Sequence, residues 1–216
     1  MASIGPNEFF FLLQGLKWTL ALTIIGFIGG GIFGLCVALA RVADSTAIQR
    51  ASTAFIAVFQ GTPLLMQLFV VYYGVALAGL NVDAWVAVAI AFTLHASAFL
   101  GEIWRGGIQA VPKGQTEAAN ALGLHYISRM KDVVLPQAFK ISLPATIGFL
   151  VQLIKGTSLA AIVGFVELSR AGQIVSNQTF RPLTVFAIVG IMYFLICWPL
   201  SLWGAGVEKR LQAASR

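Results

Sequence analysis

Glu117-Ala118-Ala119, followed by Gly123 and then by Val133-Val134-Leu135-Pro136, lies in a polar, alanine-rich segment between two apolar blocks. The segment runs from about Arg105 to Lys140 and has a helix-forming composition of its own. A connection that only joined two neighbouring helices needs a few residues. So long a polar segment in so apolar a chain points to an element on which something docks.

The rest of the chain sets the context for that segment. Its 216 residues are 58% hydrophobic and 10% charged, with a mean hydropathy of +0.86. Soluble domains carry about 25% charged residues, so this chain cannot cover itself with a solvated surface. It reads as an all-α integral membrane protein forming one domain over residues 1–216. The net charge of +6 suggests no nucleic-acid partner, because the basic residues fall at the ends of apolar blocks, where lipid head groups account for them. Cys36 and Cys197 both lie inside apolar blocks, show no metal-ligand spacing, and are expected as small buried hydrophobes. No basic region precedes Lys17, and the first apolar block is long enough to span, so it is expected to serve as an uncleaved anchor.

A spanning helix needs about 20 mostly apolar residues. Five segments qualify: Trp18 to Ala40, Thr53 to Ala78, Ala84 to Trp104, Ser142 to Phe165 and Leu183 to Ala205. Gly26, Gly29, Gly30, Gly31 and Gly34 in the first allow close helix approach in lipid. Arg41 and Arg50 fall in the first loop, Arg105, Lys113, Arg129, Lys131 and Lys140 in the central one, and Lys209, Arg210 and Arg216 in the tail. Only Lys17, Arg170 and Arg181 fall on the other side, with Lys155 inside a span. The side rich in Lys and Arg is cytoplasmic. The N-terminus is therefore expected outside, and the central loop and C-terminus inside. Gly79 to Asp83 reads as a short outer turn, and Glu167 to Pro182 as a longer outer segment able to form a short helix.

Within the central loop, Glu117, Ala118, Ala119, Ala121 and Leu122 favour a helix capped by Gln115 or Thr116, with Glu117 near its positive end. Gly123 suits a left-handed cap. His125 to Asp132 is expected to form a second short helix, limited by Pro136. Glu-Ala-Ala, three residues, Gly, nine residues, then Val133-x-Leu135-Pro136 resembles the loop of permease subunits of bacterial ABC importers. More narrowly, the chain resembles the polar amino acid permeases (the histidine, glutamine and arginine type), a branch of the type I, methionine-permease-like importer fold. Gly61-Thr62-Pro63-Leu64-Leu65, Gly101-Glu102-Ile103-Trp104-Arg105-Gly106-Gly107-Ile108, Val111-Pro112-Lys113-Gly114-Gln115, Leu135-Pro136-Gln137-Ala138 and Lys155-Gly156-Thr157-Ser158-Leu159 carry the resemblance, from about Leu12 to Arg210.

The resemblance implies a second permease subunit (a copy or a sister chain), a pair of ABC ATPases holding ATP and Mg, and an extracytoplasmic solute-binding protein. It also implies an amino acid substrate, a bacterial inner-membrane location among lipid, and Glu117, Ala118, Ala119 and Gly123 as ATPase-coupling residues. No Gly-x-x-x-x-Gly-Lys-Ser/Thr loop occurs in the chain, so the energy source is expected on another polypeptide, and no cofactor or metal is expected in this one.

Polar residues inside spans mark candidate substrate contacts. Gln60-Gly61-Thr62-Pro63 interrupts the second apolar block, and Lys155-Gly156-Thr157-Ser158 the fourth. Either interruption also reads as a structural kink. As the resemblance goes, relatives often carry Arg at the position of Gln60 and Asp at that of Gly156. On the third span, His95 and Glu102 are seven residues apart and share a face, Ser97 lies between them, and Glu102 can pair with Arg105. His95 reads equally as a packing histidine, and the Glu102–Arg105 pair as interfacial. Gln60, Thr62, His95, Ser97, Glu102, Lys155, Thr157 and Ser158 are the path candidates, with Thr62, His95, Thr157 and Ser158 nearest the path. A permease for another small solute, or a self-contained secondary transporter or channel, is the competing reading. Its acids are few, and Glu102 lies near a span end. A membrane enzyme lacks support, since His95 and His125 form no metal set with carboxylates.

Overall fold

The computed structural model describes residues 5–79 and 82–214, so part of the expected turn over Gly79 to Asp83 and the tail residue Arg216 lie outside the described residues. Among the described residues nine α-helices follow one another: α1 (Pro6–Arg41), α2 (Thr46–Gly61), α3 (Leu64–Leu77), α4 (Ala84–Ala110), α5 (Lys113–Ala121), α6 (Tyr126–Ser128), α7 (Leu135–Gly156), α8 (Leu168–Thr179) and α9 (Pro182–Ala214). A π-helical stretch, Arg129–Val134, joins α6 to α7, and a 3-10 stretch, Thr157–Val163, continues α7. Among the described residues four helical runs are long and apolar enough to cross a membrane: Pro6–Arg41, Ala84–Ala110, Tyr126–Val163 and Pro182–Ala213. The pair α2 and α3 makes a fifth if it counts as one broken span.

The first helix starts twelve residues before the expected Trp18. Gly5 caps it, Pro6 supplies a preset first residue, and Glu8 Oε2 accepts the Gly5 N–H at 2.8 Å. Asn7, Glu8, Gln14 and Lys17 dilute the apolar run there, which is why a span-length window misses it. This early part is not lipid-only surface: Leu12 and Gly15 are buried against α8.

The expected glycine contacts are present. α1 packs most extensively on α4, along a buried stripe of Gly26, Gly30 and Gly34. A Cβ built on Gly30 would stand 2.3 Å from Ala96 Cβ, so only hydrogen fits between these backbones. Close approach of this kind replaces the hydrophobic drive that lipid removes. Around the seam, Leu22, Phe92, Ala96, Leu100, Phe149 and Leu153 form the main core. Outward faces carry Ile24, Ile28, Ile32 and Phe33 on α1, and Phe194, Trp198 and Leu202 on α9, as a lipid-facing surface requires. Cys197 is buried as expected, whereas Cys36 lies on the exposed side of α1, opposite the glycine stripe.

Two helix boundaries differ from expectation. The second short helix of the central loop does not stop at Pro136: α6, the π stretch and α7 form one helical run. Pro136 has no N–H to give. The π stretch absorbs that gap, with Leu135 N–H bonding Met130 O, so the helix continues. Nor do Gln115 or Thr116 cap α5. The helix starts at Lys113, preset by Pro112 and without a side-chain cap, which puts Glu117 in its second turn.

Candidate functional site

The two helix interruptions turn out to be of different kinds. At Thr62 and Pro63 the backbone is extended, and α2 and α3 meet at 105°. Pro63 lacks a donor and forces the residue before it out of the helical region, so the break is written into the dipeptide. At Gly156 and Thr157 the backbone stays helical and only tightens to 3-10, ending at Gly164 with φ of +84°. The fourth span is therefore narrowed there, not interrupted.

A break in a span frees carbonyls that lipid cannot satisfy. Gln67, one turn into α3 and buried, answers them. Its Nε2 donates to Phe59 O at 2.7 Å, Thr62 O at 3.0 Å and Thr62 Oγ1 at 3.0 Å. Thr62 Oγ1 in turn donates to Val58 O at 2.7 Å. With the amide nitrogen so engaged, Gln67 Oε1 faces His95 Nδ1 at 2.9 Å, which makes Nδ1 the protonated nitrogen. The His95 ring packs 4.5 Å from Phe99, and Phe149 stacks beyond it. The structure thus joins Thr62 to His95 through a residue that was not singled out. The available signal was an amide inside an otherwise apolar run just after a proline break.

The other candidates lie elsewhere. Gln60 is exposed at the end of α2. Ser97 is buried, donates to Leu94 O at 2.7 Å and sits at the α1–α4 seam. Glu102 pairs with Arg105 as expected, at 2.8 and 2.5 Å, and Arg105 also bonds Gln109. Arg41 Nε lies 3.8 Å from Glu102, and its Nη1 donates to Thr53 Oγ1 at 2.7 Å, so this group ties the end of α1 to α2 and α4. Lys155 is exposed, and Ser158 donates to Lys155 O at 2.8 Å. Thr157 is fully buried and donates to Ile154 O at 2.7 Å. Gly156 does connect the two regions, since a Cβ there would stand 3.2 Å from Leu64 Cδ2.

In the central loop, α5 rests against the π stretch, with Ala119 as its buried residue. Glu117 and Ala118 point outward. Gly123 adopts φ of +73° with open space around it, and the bonds from Gly123 N to Asn120 O and Leu124 N to Ala119 O close the helix end. Arg129 bonds Asn120, holding the two arms of the loop together. Leu122 and Ile127 are 81% and 77% exposed at the tip. A cavity of about 750 Å³ opens beside α5, lined by Arg41, Gln49, Gln109, Lys113, Thr116 and Glu117 among others.

One site escaped the sequence reading entirely. Glu167, placed in an outer segment, is 0% exposed. It caps α8 by accepting the N–H of Arg170 at 2.8 Å and of Ser169 at 2.9 Å. Tyr193 O–H of α9 donates to the same carboxylate at 2.8 Å, and Thr19 O–H of α1 at 3.4 Å.

An all-helical, multi-pass chain with a broken span and an exposed loop helix has the architecture of a membrane permease. The chain belongs to the family described as binding-protein-dependent transport system inner membrane component, whose pattern it matches over residues 30–213, and it is a multi-pass inner-membrane protein of the ABC permease kind. It is 35% identical over 204 residues to the arginine transport system permease protein ArtQ of Bacillus subtilis (strain 168), covering 94% of this chain and 93% of that one. It is 34% identical to the probable glutamine ABC transporter permease protein GlnM of the same organism, covering 97% of each, and 36% identical to its L-cystine transport system permease protein TcyB, covering 93% and 86%. Among solved structures, an amino acid ABC transporter crystallised with histidines matches with a TM-score of 0.84 at 34% identity, covering 93% of this chain and 94% of that one. The MetNI methionine ABC transporter in an inward-facing form shares the fold, with a TM-score of 0.81 at 20% identity, covering 98% and 100%.

Proposed function

We propose that this chain is the permease subunit of an ATP-driven importer of polar amino acids, working with a second permease subunit, an extracytoplasmic binding protein and a pair of ATPases that hold ATP and Mg. The observation that carries the reading is the loop tip. α5 presents Glu117 and Ala118 to solvent, ends at Gly123 in a left-handed conformation, and leaves Leu122 and Ile127 uncovered. Exposed apolar side chains on a polar helix suit a groove on a partner. Glu117, Ala118, Ala119 and Gly123 are then the coupling residues. The basic residues beside the loop support a cytoplasmic position for it, with the N-terminus outside.

Relatives whose names give arginine, glutamine and cystine support the amino acid class. Along the path, Thr62, Gln67 and His95 line the break, with Gln60, Lys155 and Ser158 toward its margins. Ser97 and Thr157 support the walls, and Glu102 steadies the inner end. An amino acid carboxylate would find donors there, and its ammonium would find the freed carbonyl oxygens.

The test is co-purification of the permease with its ATPase, followed by uptake in proteoliposomes against a panel of amino acids. Gly123→Asp should abolish ATPase capture and uptake while the permease keeps its melting temperature. Retained capture and uptake would remove the coupling role. Uptake that continued without any ATPase would instead favour a self-contained secondary transporter, and uptake of a different small solute alone would replace the amino acid assignment.

A further inference from the structure

We propose that Glu167 is a positioning residue for transport: through the Tyr193 hydroxyl it locks α8, α1 and α9 into one body and holds the narrowed part of the fourth span against it. The inference rests on the transport reading above but not on which amino acid is carried.

A helix cap needs only an oxygen at the helix end, and a solvated Asp or Ser supplies one. Burying a carboxylate costs far more, so it calls for further partners. Here one oxygen, Oε1, serves Arg170 N–H. The other, Oε2, serves Ser169 N–H and the hydroxyls of Tyr193 and Thr19. Thr19 Oγ1 also accepts Leu168 N–H at 3.1 Å, so α1 helps to cap the same helix. The backbones close around this point. A Cβ on Gly15 would stand 2.7 Å from Ala171 Cβ, and one on Gly172 would stand 2.8 Å from Val189 Cγ2. α8 is therefore wedged between α1 and α9, with the carboxylate at the wedge's head.

Tyr193 carries the contact inward. Its hydroxyl also bonds Ser169 Oγ at 3.2 Å, and the 3-10 stretch that begins at Thr157 packs on α8 and α1. Thr157 is the first residue beyond Gly156, and Gly156 packs on Leu64 just past the 105° break. A continuous series of contacts thus links the short helix α8 to the broken span.

The experiment uses the complete transporter, with its ATPase and binding protein, in proteoliposomes. Tyr193→Phe removes only the hydroxyl. Glu167→Asp keeps a capping carboxylate for Ser169 and Arg170 but falls one methylene short of Tyr193. Both variants should fold, lose far less thermal stability than Glu167→Leu, and keep ATPase capture and basal ATP hydrolysis. Turnover at saturating loaded binding protein should fall about tenfold, within the range of measured couplings between sites. Half-saturation by the binding protein should stay within about twofold of wild type, as expected when positioning and not docking is lost. The double variant should be no slower than either single one, because both break the same contact. Wild-type turnover in Tyr193→Phe would overturn the proposal, as would an equal loss of turnover in a variant matched for melting temperature but distant from α8, or effects that multiplied in the double variant. Turnover is also read as ATP hydrolysis stimulated by the binding protein. A wild-type complex that hydrolyses ATP on stimulation but imports none of the amino acids tested would count against the substrate class and leave the variant-to-wild-type ratio readable.

Discussion

Two short helices flank the membrane-crossing part of this chain, and they are built in opposite ways. α8 has a buried carboxylate at its head, and its sides meet α1 and α9 at Gly15 and Gly172. α5 has no side-chain cap, one buried residue and apolar side chains standing free at its end. α8 is completed by its own chain. α5 is left for something else to complete. The contrast separates a helix that holds the permease together from one that, on the function proposed above, receives an instruction from outside.

The contrast breaks most sharply under substitution of the two acids. Glu167→Leu strands two backbone N–H groups and two hydroxyls, each costing about 1–3 kcal/mol when buried unpaired, and should lower stability by about 3 kcal/mol or more. Glu117→Leu should leave the melting temperature of the detergent-solubilised permease unchanged. Equal effects on thermal unfolding would erase the distinction. Next come the glycines. Gly15→Ala drives a methyl into Ala171 and the Leu168 backbone and should cost about 1–3 kcal/mol. Gly114→Ala meets nothing within 4 Å inside a helix and should instead stabilise by about 0.5–1 kcal/mol. Denaturant titration of the pair checks both signs. The smallest effect on stability belongs to Leu122→Asp, which should unfold like wild type yet lose ATPase in a pull-down. An intact pull-down would mean that the exposed tip is not the contact.

The sequence made the spans legible because lipid demands long apolar runs, and each long crossing helix among the described residues overlaps one of them. It also marked a face of close approach on α1 through Gly26, Gly30 and Gly34, although the partner, α4, is visible only in the structure. The proline break at Pro63 was readable from one dipeptide. What was hidden depends on contacts between distant residues. Glu167 looked like a solvated loop acid because its partners Thr19 and Tyr193 sit in separate apolar blocks. Gln67 was passed over for the same reason, its value appearing only once Phe59, Thr62 and His95 surround it. The tightening after Gly156 reads as a break in the sequence because glycine and a polar pair mark either. Pro136 reads as a stop because the π stretch that absorbs it leaves no mark in composition.

The Glu167 contact has a consequence for how the protein is made. Thr19 and Glu167 are 148 residues apart. At ribosomal rates of about 5–20 residues per second, Thr19 waits on the order of ten seconds or more for its partner to be synthesised. α4, lying much nearer in sequence, emerges well before that, so the glycine seam can close first. The carboxylate then enters as a late fastening, once α9 has brought Tyr193 alongside. A nascent chain arrested before Glu167 should already show the α1–α4 contact in cross-linking, while the first turns of α1 still lack the helix they are shaped to hold.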